Sequence, residues 1–155
     1  MTEELRKRLK LKKDVPVREE VDLNIMIASA LLDDRFEKLI SKFGITGSQY
    51  NVLRILRGVY PDGHPRCEIS MRMIRKAPDI TRLIDRLEKQ GLVKRDRSDT
   101  DRRMSITRIT EKGLRAVEEI TPHLHQEHKK ITKDLTEAQC GELSNLLEKL
   151  YRNMI

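Results

Sequence analysis

Thr81, Arg82, Arg86 and Lys89 fall within one short stretch, 78–90, of a 155-residue chain. An arginine fork can donate two parallel hydrogen bonds to guanine O6 and N7, and a threonine can bond a base edge or touch a thymine methyl. Lysine adds a charge for phosphate, which carries affinity and salt dependence. Interleaved with these residues, Ile80, Leu83, Ile84 and Leu87 recur at i, i+3, i+4, i+7. That spacing predicts a helix with one buried stripe, leaving the polar set facing outward. Pro78 suits the first turn of such a helix, and Gly91 is placed to end it. Asp85 also faces outward. A bare carboxylate beside phosphate would be repelled, so Asp85 requires a cationic partner.

Two strand-like runs follow, 92–97 and 104–109, rich in β-branched and basic residues. Between them lies a charged tip of turn formers, in which Asp99 and Asp101 are suited to shaping the turn. Helix, glycine, strand, basic loop, strand is the layout of a winged helix. The expectation is that 78–90 lies in a DNA major groove and that 97–103 reaches the flanking backbone or minor groove. Arg95, Arg97 and Arg102 are then free to approach phosphates or a narrow minor groove.

The rest of the chain must hold this stretch. Residues 1–17 form a basic N-terminal arm, expected to be mobile, with Leu5, Leu9 and Leu11 set among Arg and Lys. Residues 18–45 read as a long helix that is apolar around much of its girth and closes at Gly44. Thr46-Gly47-Ser48-Gln49 is a capping-box pattern opening a second helix. Tyr60 to Pro65 reads as a turn. A third short helix is expected over 68–76 with Ile69, Met73 and Ile74 inward, and with 78–90 it makes a helix-turn-helix candidate. Thr110 suits the N-cap of a further long helix, which Pro122 should kink or break. A second capping box, Thr136 to Gln139, opens the last helix, edged by Leu143, Leu146, Leu147 and Leu150. The predicted fold is mainly α with a small β-wing (α+β). A winged helix-turn-helix core at 46–110 is flanked by long helices at 18–45 and 111–155. Both flanks carry more apolar surface than a small domain can bury, so a two-fold homodimer is the economical solution.

Composition is compatible with this and excludes other classes. Charged residues make up 37%, aromatics 3%, and the net charge is +7. A basic balance suits a polyanion partner, and a merely solvated basic surface as well. No apolar run approaches the ~20 residues of a membrane span, and no signal peptide is evident. Cys67 and Cys140 suggest no disulfide framework, so a cytoplasmic location is the default. There is no glycine-rich phosphate loop and no nucleophile beside a matching histidine and carboxylate, so no catalytic role and no cofactor is expected. His123, His125 and His128 read as surface histidines rather than a metal site, because only the last two share a helical face. Cys67 and Cys140 read as buried structural residues. A winged-helix module that binds protein or RNA without operator specificity remains the alternative, although exposed aromatics for stacking bases are scarce.

At Thr81 to Glu88 with Gly91-Leu92-Val93, Asp101-Arg102-Arg103, and Ile109-Thr110-Glu111-Lys112-Gly113, the chain resembles the MarR family of bacterial transcription regulators. The resemblance spans about 20–150. It implies a homodimer, double-stranded DNA as partner, a helix-turn-helix followed by a wing, and repression relieved in many members by a small phenolic or other lipophilic effector. It implies no residue for effector binding here. It pairs the family's matching aspartate with a wing arginine, here Asp85 with Arg103. Asp85, Asp101 and Arg103 would then position the wing. The chain departs from the common pattern at Ile69 to Ile74, so its first base-facing side chains differ from those of better-known members.

Overall fold

The computed structural model describes residues 1–97 and 105–154. Its elements run α1 (Glu3–Leu9), α2 (Val17–Ile40), α3 (Gly47–Arg57), β1 (His64–Pro65), α4 (Arg66–Arg72), α5 (Ile80–Lys89), β2 (Val93–Arg97), β3 (Ser105–Ile109), α6 (Glu111–Ile131) and α7 (Glu137–Arg152). The strands form one antiparallel sheet in the order β1-β3-β2. The expected α+β architecture is therefore present: a helical chain with a small sheet. The β1 strand lies inside the stretch read as a turn.

Polar caps set several helix starts. Thr46 accepts the Gln49 N–H and Gln49 returns the bond to the Thr46 N–H, a full capping box at the head of α3. Thr136 and Gln139 do the same for α7. Thr110 accepts the Gly113 N–H at 3.1 Å and opens α6. The α5 start differs from expectation. Pro78 lies in the preceding turn, and Asp79 is the N-cap, its Oδ1 taking the Arg82 N–H at 3.0 Å. A side-chain acceptor satisfies an orphan donor, which a proline in the first turn cannot do.

Gly91, at φ +70, turns the chain from α5 into β2. The Leu92 N–H reaches the Leu87 carbonyl at 3.0 Å and the Gly91 N–H reaches that of Glu88 at 2.8 Å. This is a Schellman closure, with buried Leu87 and Leu92 as its apolar pair.

The core collects Val52, Leu53 and Leu56 of α3, Ile69 of α4, Ile84 and Leu87 of α5, and Val117 and Ile120 of α6. The sequence stripe on α5 is thus buried as expected, with Ile80 and Leu83 half-buried at its edge. The flanks are not covered. Ile40 is the one buried residue of α2, and α7 buries none.

Further expectations need correction. The basic arm contains the helix α1, with Leu5 buried and the Thr2 N–H bonded to Glu20 at 2.6 Å. Leu5 and Leu9 are spaced i, i+4, so a helix gathers them on one side. The third helix is shorter, ending at Arg72, because Met73 turns extended and the Ile74 N–H bonds the Asn51 side chain. Met73 is buried there, but Ile74 is 87% exposed rather than inward. Finally, of the kink or break expected at Pro122, the break does not occur: α6 runs continuously from Glu111 to Ile131. Pro122 lies on an exposed face, where water can satisfy the carbonyl that its missing N–H leaves unpaired.

Candidate nucleic-acid interface

With its apolar stripe buried, α5 presents its other face outward. Arg82, Arg86 and Lys89 are exposed and Thr81 is half-buried at the first turn. Arg82 is held at its base: its Nε lies 3.1 Å from Asp79 Oδ2. Thr81 accepts a hydrogen bond at 2.9 Å from Nη1 of Arg66, the first residue of α4. Arg86 and Lys89 form no ion pair among the described residues. Glu68 and Glu88, which could otherwise pair with Arg86, have other partners. Glu68 pairs with Arg72 at 3.4 Å, and Glu88 pairs with Arg95.

Arg95 was expected to be free, and it is not. It leaves β2 toward α5 and is clamped there. Its Nη2 lies 2.7 Å from Asp85 Oδ1, its Nε donates to Glu88 Oε2 at 2.9 Å, and its backbone N–H donates to Glu88 Oε1 at 3.1 Å. Nη2 also contacts Glu88 Oε2. Asp85 therefore has the cationic partner its position demanded, and among the described residues that partner is Arg95. Arg103, Arg102 and Asp101, with the turn residue Asp99 and the side chain of Arg97, lie outside the described residues. The hydrogen bonds from Arg95 hold the Glu88 carboxyl below the usual carboxylate range, against the opposing effect of burial. They also raise the Arg95 guanidinium further. A carboxyl with a lowered folded-state pKa contributes fully above its unfolded value and is lost as pH falls through the lowered one. The clamp is therefore intact throughout the neutral range.

Sequence reasoning missed Glu88 as the second carboxylate of this clamp. The available signal was its place one helical turn from Asp85, on the face that Gly91 folds β2 against. Replacing Asp85 by alanine is expected to lower DNA affinity about two- to fivefold although it removes a negative charge, the range of an exposed ion pair. A rise in affinity in a titration against duplex DNA would contradict this.

The other face of the hairpin is tied as well. Asp96 bridges Lys94 at 3.1 Å and Arg108 Nε at 3.2 Å. Arg108 donates to the Pro61 and Asp62 carbonyls at 3.1 and 2.6 Å. The β2–β3 ladder runs from Val93 opposite Ile109 to Arg97 opposite Ser105.

The residues weighed for sensing lie elsewhere. Cys67 is exposed, not buried, and Cys140 is half-buried on α7, whose face has no cover. His123 and His128 pack against Phe43 and Phe36, each with ring centroids 5.3 Å apart. Among the described residues no three His, Cys, Asp or Glu side chains converge as a metal site. No described helix is long and apolar enough to cross a membrane.

A short helix, a turn and an outward-facing helix, followed by a hairpin clamped to that helix, define a winged helix-turn-helix. Residues 45–105 match the MarR family model. The chain is 33% identical over 119 residues to the HTH-type transcriptional repressor IacR of Pseudomonas putida, spanning 76% of this chain and 70% of that one. It is 33% identical to a MarR transcription factor from Planctomyces limnophilus of known structure, with a TM-score of 0.67 over 88% of this chain and 98% of the other. The fold also matches S. aureus MepR in its DNA complex, at a TM-score of 0.75 and 20% identity over 86% and 96% of the two chains. The chain belongs to the MarR family. It is a DNA-binding transcription regulator and not an enzyme.

Proposed function

We propose that this protein is a repressor that binds a pseudo-palindromic operator as a homodimer and is released by a small lipophilic or phenolic effector. The observation that carries this reading is α5 itself. Its apolar residues are spent on the core, while Thr81, Arg82, Arg86 and Lys89 stand on the outward face. In the proposed complex α5 enters the major groove. Thr81 and Arg82 meet base edges, Arg86 and Lys89 meet bases or phosphates, and Arg97 and Arg102 reach the flanking backbone or minor groove. Arg95, with Asp85 and Glu88, positions the hairpin; the proposed contributions of Asp101 and Arg103 are of the same kind. Competition titrations test this reading. A selected duplex should outcompete a scrambled one by about a thousandfold or more at physiological salt, and equal competition would refute sequence choice.

The homodimer is supported by the uncovered flanks. Met26 of α2 is 68% exposed and Leu146 of α7 is 54% exposed, with Val21, Leu31, Leu143, Leu147 and Tyr151 also open. A second copy would cover these faces and fix the spacing of two α5 helices. Replacing Leu143 and Leu146 together by glutamate is expected to shift the protein to monomer in sedimentation experiments and to weaken operator binding. A wild-type chain that sediments as a monomer at micromolar concentration would defeat the dimer.

An effector site is supported by an open cavity of about 780 Å³ between α2, α3 and α6, within the size range of small-molecule sites. Phe36, Ile40, Tyr50, Ile55 and Leu124 give it apolar walls. Its carboxylates are already committed: Asp33 to Arg75, Asp34 to Lys38 and Glu37 to the Gly47 N–H. Arg54, on the same wall, has no ion pair among the described residues, which favours an acidic or phenolic ligand over a cation. Met73, Ile74 and Arg75 also line the cavity and lead into α5. Arg75 ties that turn to α2 through Asp33 and Ser29. In the proposed release, a bound ligand displaces this turn and with it the start of α5. Asp33→Ala should mimic part of that effect, lowering operator affinity about two- to fivefold as expected for one exposed pair. Undiminished affinity in a gel-shift series would count against the tie.

A further inference from the structure

We infer that Asp79 is a specificity-determining residue, a positioning carboxylate that sets the Arg82 fork for reading guanine. This inference rests on the proposed seating of α5 in the major groove. One carboxylate does two tasks with two oxygens. Oδ1 caps α5 by accepting the Arg82 N–H at 3.0 Å, and Oδ2 lies 3.1 Å from Arg82 Nε. Among the described residues the Arg82 side chain has no other polar partner, and it is 80% exposed. This ion pair anchors the guanidinium at its Nε edge, and among the described residues its two terminal nitrogens make no ion pair or hydrogen bond. Their fork matches the paired O6 and N7 acceptors of guanine. An arginine set in this way before binding loses less conformational freedom when it docks.

The position of the carboxylate argues against a purely electrostatic role. Asp79 stands at the head of the helix meant to face phosphates, in a chain of net charge +7. A negative charge there lowers attraction to any duplex. As an exposed i, i+3 pair it contributes little to folding. Capping alone does not require the charge, since asparagine and serine cap as well as aspartate. What asparagine and serine lack is the second anionic oxygen that holds Nε.

Asp79→Asn and Asp79→Ser separate these roles. The full-length variants would be compared with wild type and Arg82→Ala in three measurements. These are the thermal midpoint, affinity for a selected operator and a scrambled duplex across a salt series, and base preference after selection from random duplexes. Both Asp79 variants should melt near wild type and bind the scrambled duplex equally well or better. Their affinity for the selected operator should fall about fivefold or more, the low end of a lost bidentate contact. The loss of base preference should fall on the same base pair of each half-site that Arg82→Ala relaxes. Combining Asp79→Asn with Arg82→Ala should cost no more than Arg82→Ala alone. A general loss of structure would lower binding to both duplexes together and would not reproduce this pattern. If Asp79→Asn keeps the preference that Arg82→Ala loses, the inference is overturned and the groove reading stands. If Arg82→Ala itself keeps every preference, both fall.

Discussion

Gly113→Ala is expected to destabilise the protein by about 3 kcal/mol, the upper part of the range for forced overpacking. A Cβ at this position would lie 2.2 Å from the Leu92 carbonyl oxygen and 2.7 Å from Ile109 Cγ1. The carbonyl cannot swing aside, because it accepts the Thr110 N–H at 3.1 Å. Thr110 is fixed in turn: its hydroxyl donates to the Gly91 carbonyl at 2.8 Å and accepts the Gly113 N–H. Gly91, Leu92, Ile109, Thr110 and Gly113 are therefore one junction, where the end of α5, both hairpin strands and the start of α6 meet. Added bulk would separate α6 from the hairpin base and loosen the hairpin against α5. For a chain of this size the loss corresponds to roughly 6–12 °C in thermal midpoint. Urea and thermal unfolding check it, and an unchanged midpoint would mean that the junction relaxes freely.

Arg82→Ala is expected to lower affinity for the selected operator about 10- to 100-fold, as for loss of a bidentate guanine contact. Affinity for a scrambled duplex should fall far less. The distinction matters because Arg82 is also a charge. Were it only a phosphate ligand, both duplexes would weaken alike and the salt slope would drop by about one. Its side chain is exposed and its substitution removes no core contact, so the thermal midpoint should hold. Unchanged operator affinity at physiological salt would remove Arg82 from the reading surface.

Local chemistry made much of this fold legible before any coordinates. Thr46 and Thr136 cap their helices, Gly91 reverses the chain after α5, and the stripe from Ile80 to Leu87 packs inward. These features depend on residues a few positions apart. What sequence did not yield depends on competition or distance. Pro78 suited a helix start, but the side-chain acceptor of Asp79 caps the helix instead. Residues Met73 to Asp79 leave the helix because Asn51, on α3, takes the Ile74 N–H. The clamp is the most instructive case. Charge logic required a partner for Asp85; the Arg103 implied by the family resemblance lies outside the described residues, and Arg95 lies across the Gly91 turn with Glu88 beside it. Choosing among several arginines requires knowing which strand residue points back at the helix, which depends on register. The short β1 strand was illegible for a similar reason. His64 and Pro65 pair with Thr107 and Ile106, more than 40 residues away.

Selection of bound sequences from a random duplex pool, using the full-length protein at physiological salt, tests the central claim most directly. The account predicts one enriched, two-fold symmetric sequence with half-sites about one helical turn apart, 10–10.5 base pairs centre to centre. It also predicts that Arg82→Ala flattens the preference at one base pair in each half-site. A pool that stays random, or that enriches a single asymmetric site, would contradict a dimer that reads DNA through α5.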